Sequence, residues 1–122
     1  MDRPIYEKRR HARIDIVLTA DLFRFGNYNP KFLGKGIITD LGIGGMKIET
    51  NDVISEEEEL FIKFFLPNGA YFDNIRGKIM RTQKVSFTYT YGIRFIEIKL
   101  RDKFRIWRFT IRNKGCLPGG EK

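Results

Sequence analysis

Residues 14–23 read Ile-Asp-Ile-Val-Leu-Thr-Ala-Asp-Leu-Phe, with an aliphatic side chain at every second position. Because successive side chains of a strand point to opposite faces of a sheet, this period of two predicts a strand with one buried face. The next segment, Gly26-Asn-Tyr-Asn-Pro30, has the residue types of a turn. The chain is therefore expected to begin its domain with a half-buried strand and then to reverse direction.

Similar patterns follow along the chain, separated by short segments rich in glycine, proline or acidic residues. We expect five more strands, at residues 33–39, 46–50, 60–66, 71–82 and 85–98. Residues 40–45, Asp-Leu-Gly-Ile-Gly-Gly, are expected to form a tight loop between the second strand and the third. Consecutive strands with short turns are typical of an antiparallel sheet closed into a barrel, or of a sandwich. The pattern predicts an all-β domain and leaves these two architectures open.

The apolar period changes near the C-terminus. Spacings of four, three and four residues predict one apolar stripe along a helix, formed by Leu100, Phe104, Trp107 and Ile111. Asp102 is a suitable N-cap for this helix. Ile106 and Phe109 add more apolar surface than one helix face can bury, so a homodimer is one expectation. A basic stripe runs alongside, formed by Arg101, Arg105, Arg108 and Arg112.

Length and composition limit the classes of function. A chain of 122 residues is the size of one domain, and its net charge of +8 indicates an anionic partner such as nucleic acid, a nucleotide, anionic lipid or an acidic protein. One cysteine, Cys116, and one histidine, His11, exclude a disulfide scaffold and a zinc site built from these residue types. We expect neither an enzyme nor a cofactor, because no nucleophile–base arrangement or phosphate loop is recognisable.

The hydropathy of the chain suggests its location. No apolar run approaches the roughly 20 residues that a membrane-spanning helix needs, and the N-terminus begins with charged residues and proline. We therefore expect a cytoplasmic protein without membrane insertion.

Residues 1–13 are basic with few apolar side chains, which predicts a flexible arm or an ordinary frayed terminus. Residues 114–122 contain Gly115 and Pro118 and are expected to be a disordered tail.

Two short segments have the residue types of a nucleotide site. In Arg9-Arg10-His11-Ala12-Arg13, arginine can bind phosphate with two parallel hydrogen bonds and can stack on a purine. In residues 40–45, glycines let backbone N–H groups approach an anion, and Asp40 can accept hydrogen bonds from guanine. Each segment has a plainer interpretation: a solvated basic tail for the first, and a hairpin whose Asp40 caps the turn for the second.

The two segments in this order resemble a family signature. Arg9-x-x-x-Arg13 followed by Asp40-x-Gly42-x-x-Gly45 is similar to the PilZ pattern, Arg-x-x-x-Arg and then Asp/Asn-x-Ser-x-x-Gly. Residues 91–97, Tyr-Gly-Ile-Arg-Phe-Ile-Glu, resemble a late strand of the same family. The resemblance extends from about residue 7 to residue 112 and covers nearly the whole chain.

This resemblance implies a fold, a ligand and a set of site residues. The fold is a six-stranded antiparallel β-barrel with a C-terminal α-helix, over residues 14–113, preceded by a ligand-binding arm at residues 1–13. The ligand is cyclic di-GMP. Arg9 and Arg13 match the arginines that hold phosphate and stack on guanine, and Arg10 matches a position that is often basic. Asp40 matches the residue that hydrogen-bonds guanine, and Gly45 matches the glycine that keeps the loop tight.

One position departs from the family pattern. Gly42 stands where the family has serine, which removes a hydroxyl that contacts the ligand. The expected function is a cyclic di-GMP receptor whose arm orders on binding and signals to an unidentified downstream protein that controls motility, exopolysaccharide production or biofilm formation. Because of Gly42, a degenerate module that binds a protein without nucleotide remains an alternative. A non-specific binder of single-stranded nucleic acid is a third.

Overall fold

The computed structural model describes residues 13–24, 30–55 and 58–113, which contain six strands and one helix. In chain order they are β1 (Arg13–Arg24), β2 (Lys31–Gly42), β3 (Gly45–Thr50), β4 (Glu59–Phe65), β5 (Tyr71–Val85), β6 (Thr88–Glu97) and α1 (Leu100–Asn113). All neighbouring strands are antiparallel in the order β1-β2-β3-β6-β5-β4, and β4 pairs with β1 to close the barrel. The expected barrel with a C-terminal helix is confirmed.

The barrel interior is filled by the inward face of every strand. In β1 the predicted alternation is confirmed, because Ile14, Ala20 and Leu22 are buried while Val17 points outward and is 78% exposed. The other strands contribute large, fully buried side chains: Ile38, Leu41, Met46, Ile48, Leu60, Ile62, Phe72, Ile75, Ile79 and Tyr91. Burial of each such side chain contributes about 1.5–3 kcal/mol, so this core is the main source of stability.

The connection from β3 to β4 has to cross the barrel, because β3 lies beside β6 whereas β4 lies beside β1. Tyr91 anchors this connection from inside the barrel. Its hydroxyl donates to the carbonyl oxygen of Asp52 at 2.8 Å and accepts from the backbone N–H of Ile54 at 2.8 Å. Burial raises the pKa of the Tyr91 phenol above its usual value near 10. The folded protein therefore stabilises the neutral, hydrogen-bonded form of the phenol.

Most strand boundaries differ from the predictions by one to three residues, and cross-strand pairing explains the differences next to the predicted motif. The β1–β2 ladder continues until Arg13 pairs with Gly42, so β2 is longer than predicted. Asp40 is consequently a strand residue, not a loop residue, and Arg13 begins β1 although it was assigned to the arm. The final strand was predicted to begin at residue 85. Instead residue 85 ends β5, and a turn with Ser86 at φ 60° precedes β6.

The helix packs against the barrel through a different face from the apolar stripe that the sequence predicted. Ile106 and Phe109 are buried against the barrel, together with the polar residues Asp102 and Thr110. Asp102 is the third residue of α1 and does not act as its N-cap. Its buried carboxylate instead accepts a hydrogen bond from Arg105 at 2.8 Å, one turn further along the helix. The four residues of the predicted stripe are exposed: Leu100, Phe104, Trp107 and Ile111.

Candidate functional site

An ion pair joins the two halves of the predicted motif. Arg13 begins β1 and Asp40 lies near the end of β2, where the two strands pair. The Nε of Arg13 donates to Oδ1 of Asp40 at 3.1 Å, and the Asp40 side chain is only 11% exposed. The barrel thus brings together an arginine and an aspartate that are 27 positions apart in the sequence. The contact holds the guanidinium of Arg13 in place beside the loop that follows β2.

The loop after β2 is short and closely packed against β6. It contains only Ile43 and Gly44, and the carbonyl oxygen of Gly44 accepts a hydrogen bond from the N–H of Phe95 at 2.9 Å. A Cβ at Gly45 would lie far closer than 3.0 Å to the carbonyl oxygen of Ile93. Only glycine therefore allows β3 to start this close to β6, which supports the role predicted for Gly45 as the residue that keeps the loop tight.

A solvent-open cavity of about 390 Å³ lies beside this loop, on the outer surface of the barrel. Gly45 and Gly92 contribute backbone without side chains to its lining. Lys47 of β3 and Arg81 of β5 both pair with Gly92 of β6, so their side chains flank that glycine on either side. The described residues that line it are Arg13, Gly44, Gly45, Met46, Lys47, Met80, Arg81, Gln83, Thr90, Gly92, Ile93 and Arg94.

The cavity has the chemistry of an anion site. Its lining includes four cationic side chains, and no aspartate or glutamate among the described residues. Lys47, Arg81 and Arg94 are exposed, so their charges are available to a ligand. Arginine binds phosphate with paired hydrogen bonds and stacks on flat rings, and the half-exposed Met80 adds an apolar surface. The arrangement can bind a molecule that combines negative charge with an apolar ring system.

The predicted site residues therefore have different outcomes. Arg13 and Gly45 line the cavity, whereas Asp40 is not among the described lining residues and contacts Arg13. Gly42 is a buried residue of β2 that pairs with Arg13 and is not part of the lining. Arg9 and Arg10 lie outside the described residues.

Sequence reasoning missed the cations on β3, β5 and β6. One signal was present, because the alternation of β6 places Thr90, Gly92 and Arg94 on the face opposite the buried Tyr91 and Ile93. The register that sets Lys47 and Arg81 against Gly92 could not be read from this alternation.

Within the described residues, no group of three or more His, Cys, Asp or Glu side chains could hold a metal ion. Nor is any helix there long and apolar enough to cross a bilayer.

The chain belongs to the PilZ domain family, whose sequence profile matches residues 7–112. A comparison with curated proteins found no match. Among solved structures, the Bacillus subtilis inhibitor of motility MotI/DgrA is similar with a TM-score of 0.71 and 17% identity, covering 93% of this chain and 52% of that one. Escherichia coli YcgR in complex with c-di-GMP has a TM-score of 0.69 and 16% identity, covering 89% and 48%.

A structure of the PilZ domain of Escherichia coli YcgR with c-di-GMP is also similar. Its TM-score is 0.68 at 14% identity, and the match covers 88% of this chain and 92% of that one. Identities this low show a shared fold and nothing more specific. The chain spans about half the length of MotI/DgrA and of full YcgR.

Proposed function

We propose that this chain is a cytoplasmic receptor for c-di-GMP and that the ligand binds in the cavity beside the β2–β3 loop. The observation that carries the proposal is the contact of Arg13 with Asp40 at the edge of a cationic cavity. A ligand with two phosphates and two guanines matches the cations and the apolar surface that line this cavity. That two YcgR structures of the same fold were determined with c-di-GMP adds support.

Each group has a separate task in this proposal. Arg13, positioned by Asp40, binds a phosphate or stacks on a guanine, and Lys47 and Arg81 neutralise charge on either side of Gly92. Arg9 and Arg10 complete the site from residues 1–12, whose ordering on binding is the signal that a downstream protein detects. Fixing those residues costs about 1–2 kcal/mol each. The charge-assisted contacts, at about 1.5–3 kcal/mol each, have to exceed this cost.

Titration calorimetry with c-di-GMP, and with GTP as a control ligand, tests the proposal. We expect saturable binding near micromolar affinity for c-di-GMP only, which corresponds to about −8 kcal/mol. Arg81→Ala is the sharpest variant, because Arg81 is exposed and its removal leaves no buried charge unpaired. It should weaken binding by about ten- to a hundredfold. Arg13→Ala should do the same, with some loss of stability because Asp40 loses its partner.

The matched control is Lys31→Ala. Lys31 is exposed and pairs with Arg24 at the far end of β1 from Arg13. Its removal lowers the net charge by the same amount as Arg81→Ala, and c-di-GMP affinity should not change. Equal losses from both substitutions would mean that net charge alone attracts the ligand, and the proposal would then be wrong.

A second candidate function is a protein-binding adaptor of the same family that has lost its nucleotide. Gly42 favours it, because the serine hydroxyl of the family signature is absent. The exposed apolar stripe on α1 favours it too, since such surfaces commonly mark interaction sites. Absence of heat with c-di-GMP at millimolar concentration would select this candidate. Under either candidate, we propose control of motility, exopolysaccharide production or biofilm formation as the output.

A further inference from the structure

The helix α1 has two apolar faces, and the barrel covers only one of them. Ile106 and Phe109 are buried, whereas Leu100 is 81% exposed and Phe104, Trp107 and Ile111 are about half exposed. The exposed residues follow one another at intervals of four, three and four, so they form a continuous line along the helix. Phe104 and Trp107 stack on each other with ring centroids 5.7 Å apart. We call these four residues the outer stripe.

A basic groove lies beside the outer stripe. It encloses about 800 Å³ between α1 and the β4–β5 turn, and its walls are residues 67–70 of the turn and Arg105, Arg108 and Arg112 of the helix. Arg105 is already engaged by Asp102 and by the carbonyl oxygen of Tyr71. Arg108 and Arg112 are exposed, and among the residues that the structure describes no carboxylate lines the groove. The groove therefore offers two cations to a partner.

The charges around the outer stripe argue against a second copy of this chain. Arg101, Arg108 and Arg112 each follow a stripe residue by one position, about 100° around the helix, and form one flank. Lys103 lies on the other flank. In a dimer with the two outer stripes in contact, each flank of one helix would face a flank of the other helix. Because both flanks are basic, either arrangement would place positive charges opposite positive charges. Like charges placed across an interface disfavour that association.

The shape of the groove argues against a flat membrane. A bilayer surface can cover the outer stripe, but it cannot enter a groove whose second wall is the β4–β5 turn. A protein segment can do both, with apolar side chains on the stripe and carboxylates beside Arg108 and Arg112. We propose that the outer stripe and the groove together form a docking surface for an acidic amphipathic helix of another protein. This mode of recognition lays a helix on apolar anchors and uses charge for register.

The surface carries its own reporter, because Trp107 is the only tryptophan in the chain. The probe is a synthetic tryptophan-free helical peptide with leucine on one face and glutamate elsewhere, and the control peptide has lysine in place of every glutamate. The acidic peptide should shift the Trp107 emission to shorter wavelength in a saturable way, and the lysine peptide should not. Absence of any shift with the acidic peptide would overturn the proposal.

Charge reversal separates specific docking from general attraction. The variant Arg108→Glu/Arg112→Glu should weaken the acidic peptide by about tenfold or more, which is at least about 1.4 kcal/mol. The single variants Arg108→Glu and Lys31→Glu each change the net charge by two units, and only the first should weaken binding. Lys31 pairs with Arg24, which pairs with Leu60 at the start of β4, whereas the groove lies past the end of that strand. Equal effects from the two single variants would refute the docking surface.

Two further measurements decide between partners. A stronger emission shift with vesicles of phosphatidylcholine and phosphatidylglycerol than with the acidic peptide would overturn the proposal in favour of a membrane. Dimerisation in sedimentation that Trp107→Ser abolishes would overturn it in favour of a second copy. The groove shares no residue with the cavity around Gly45. Retention of c-di-GMP binding by Arg108→Glu therefore distinguishes failure of this surface from failure of the proposed receptor function.

Discussion

Replacing Gly45 with alanine should destabilise the barrel at the rim of the proposed ligand site. The added methyl group would collide with the carbonyl oxygen of Ile93, a backbone atom that cannot rotate away. The start of β3 would have to move away from β6 by roughly 1 Å to restore ordinary contact. That movement would also strain the hydrogen bond from Phe95 N–H to the carbonyl oxygen of Gly44.

The magnitude follows from these two effects. Overpacking of a closely packed site costs about 1–3 kcal/mol. Loss of the hydrogen bond from Phe95 to the exposed Gly44 costs about 0.5–1.5 kcal/mol. We expect Gly45→Ala to lower the free energy of unfolding by about 2–4 kcal/mol in total. The loss stays within this range because the start of β3 can move without displacing the rest of the strand. With a urea dependence of about 2 kcal/mol per molar, the unfolding midpoint should fall by about 1–2 M.

Gly44 provides the matched control, one residue earlier in the chain. A Cβ at Gly44 would meet no atom within 4 Å. Gly44→Ala should therefore leave the midpoint unchanged or raise stability by about 0.4–1 kcal/mol, because alanine restricts the unfolded chain. Urea unfolding followed by circular dichroism compares both variants with the native protein. If Gly45→Ala lowered stability by no more than Gly44→Ala does, the steric argument would be refuted.

Three further predictions concern Tyr91, Gly42 and salt. Tyr91→Phe should lower the free energy of unfolding by about 1–3 kcal/mol, because it removes the partner of the Ile54 N–H and the Asp52 carbonyl. Burial raises the pKa of Tyr91 in the folded state, so its contribution to stability should be fully present below its unfolded pKa of about 10 and be lost as the pH rises above it. Alkaline unfolding should therefore show a steeper loss of stability in the native protein than in Tyr91→Phe, and equal slopes would contradict this. Gly42→Ser restores the hydroxyl of the family signature and should tighten c-di-GMP binding by about ten- to a hundredfold in calorimetry. Unchanged affinity would contradict a ligand contact at this position, which is buried and outside the described lining of the cavity. Affinity for c-di-GMP should decrease between about 50 and 500 mM salt, and less so in Arg81→Ala; parallel slopes would exclude Arg81 from phosphate binding.

The strands and the motif were accessible from local sequence patterns. The alternation in residues 14–23 depends only on which face of a strand each side chain occupies, so it predicted β1 before any partner strand was known. The spacing of Arg13 and Asp40 indicated a joint site in the same way, through resemblance to a family signature. Their 3.1 Å contact confirms that the two residues meet. The boundary of β2 was missed, because Asp40, Leu41 and Gly42 are strand residues through their pairing with β1 and, for the first two, with β3.

The sequence by itself therefore determined the all-β class and the C-terminal helix, since each rests on periodicity, and it assigned Arg13 and Asp40 to one motif through family resemblance. Only the tertiary structure showed that the two side chains contact each other. Only the tertiary structure decided that Lys47 and Arg81 flank Gly92, because cross-strand register depends on contacts between distant segments. It also decided which side of α1 is buried. Two apolar faces compete on that helix, and the barrel surface selects Ile106 and Phe109, which leaves Trp107 and its stripe exposed to solvent.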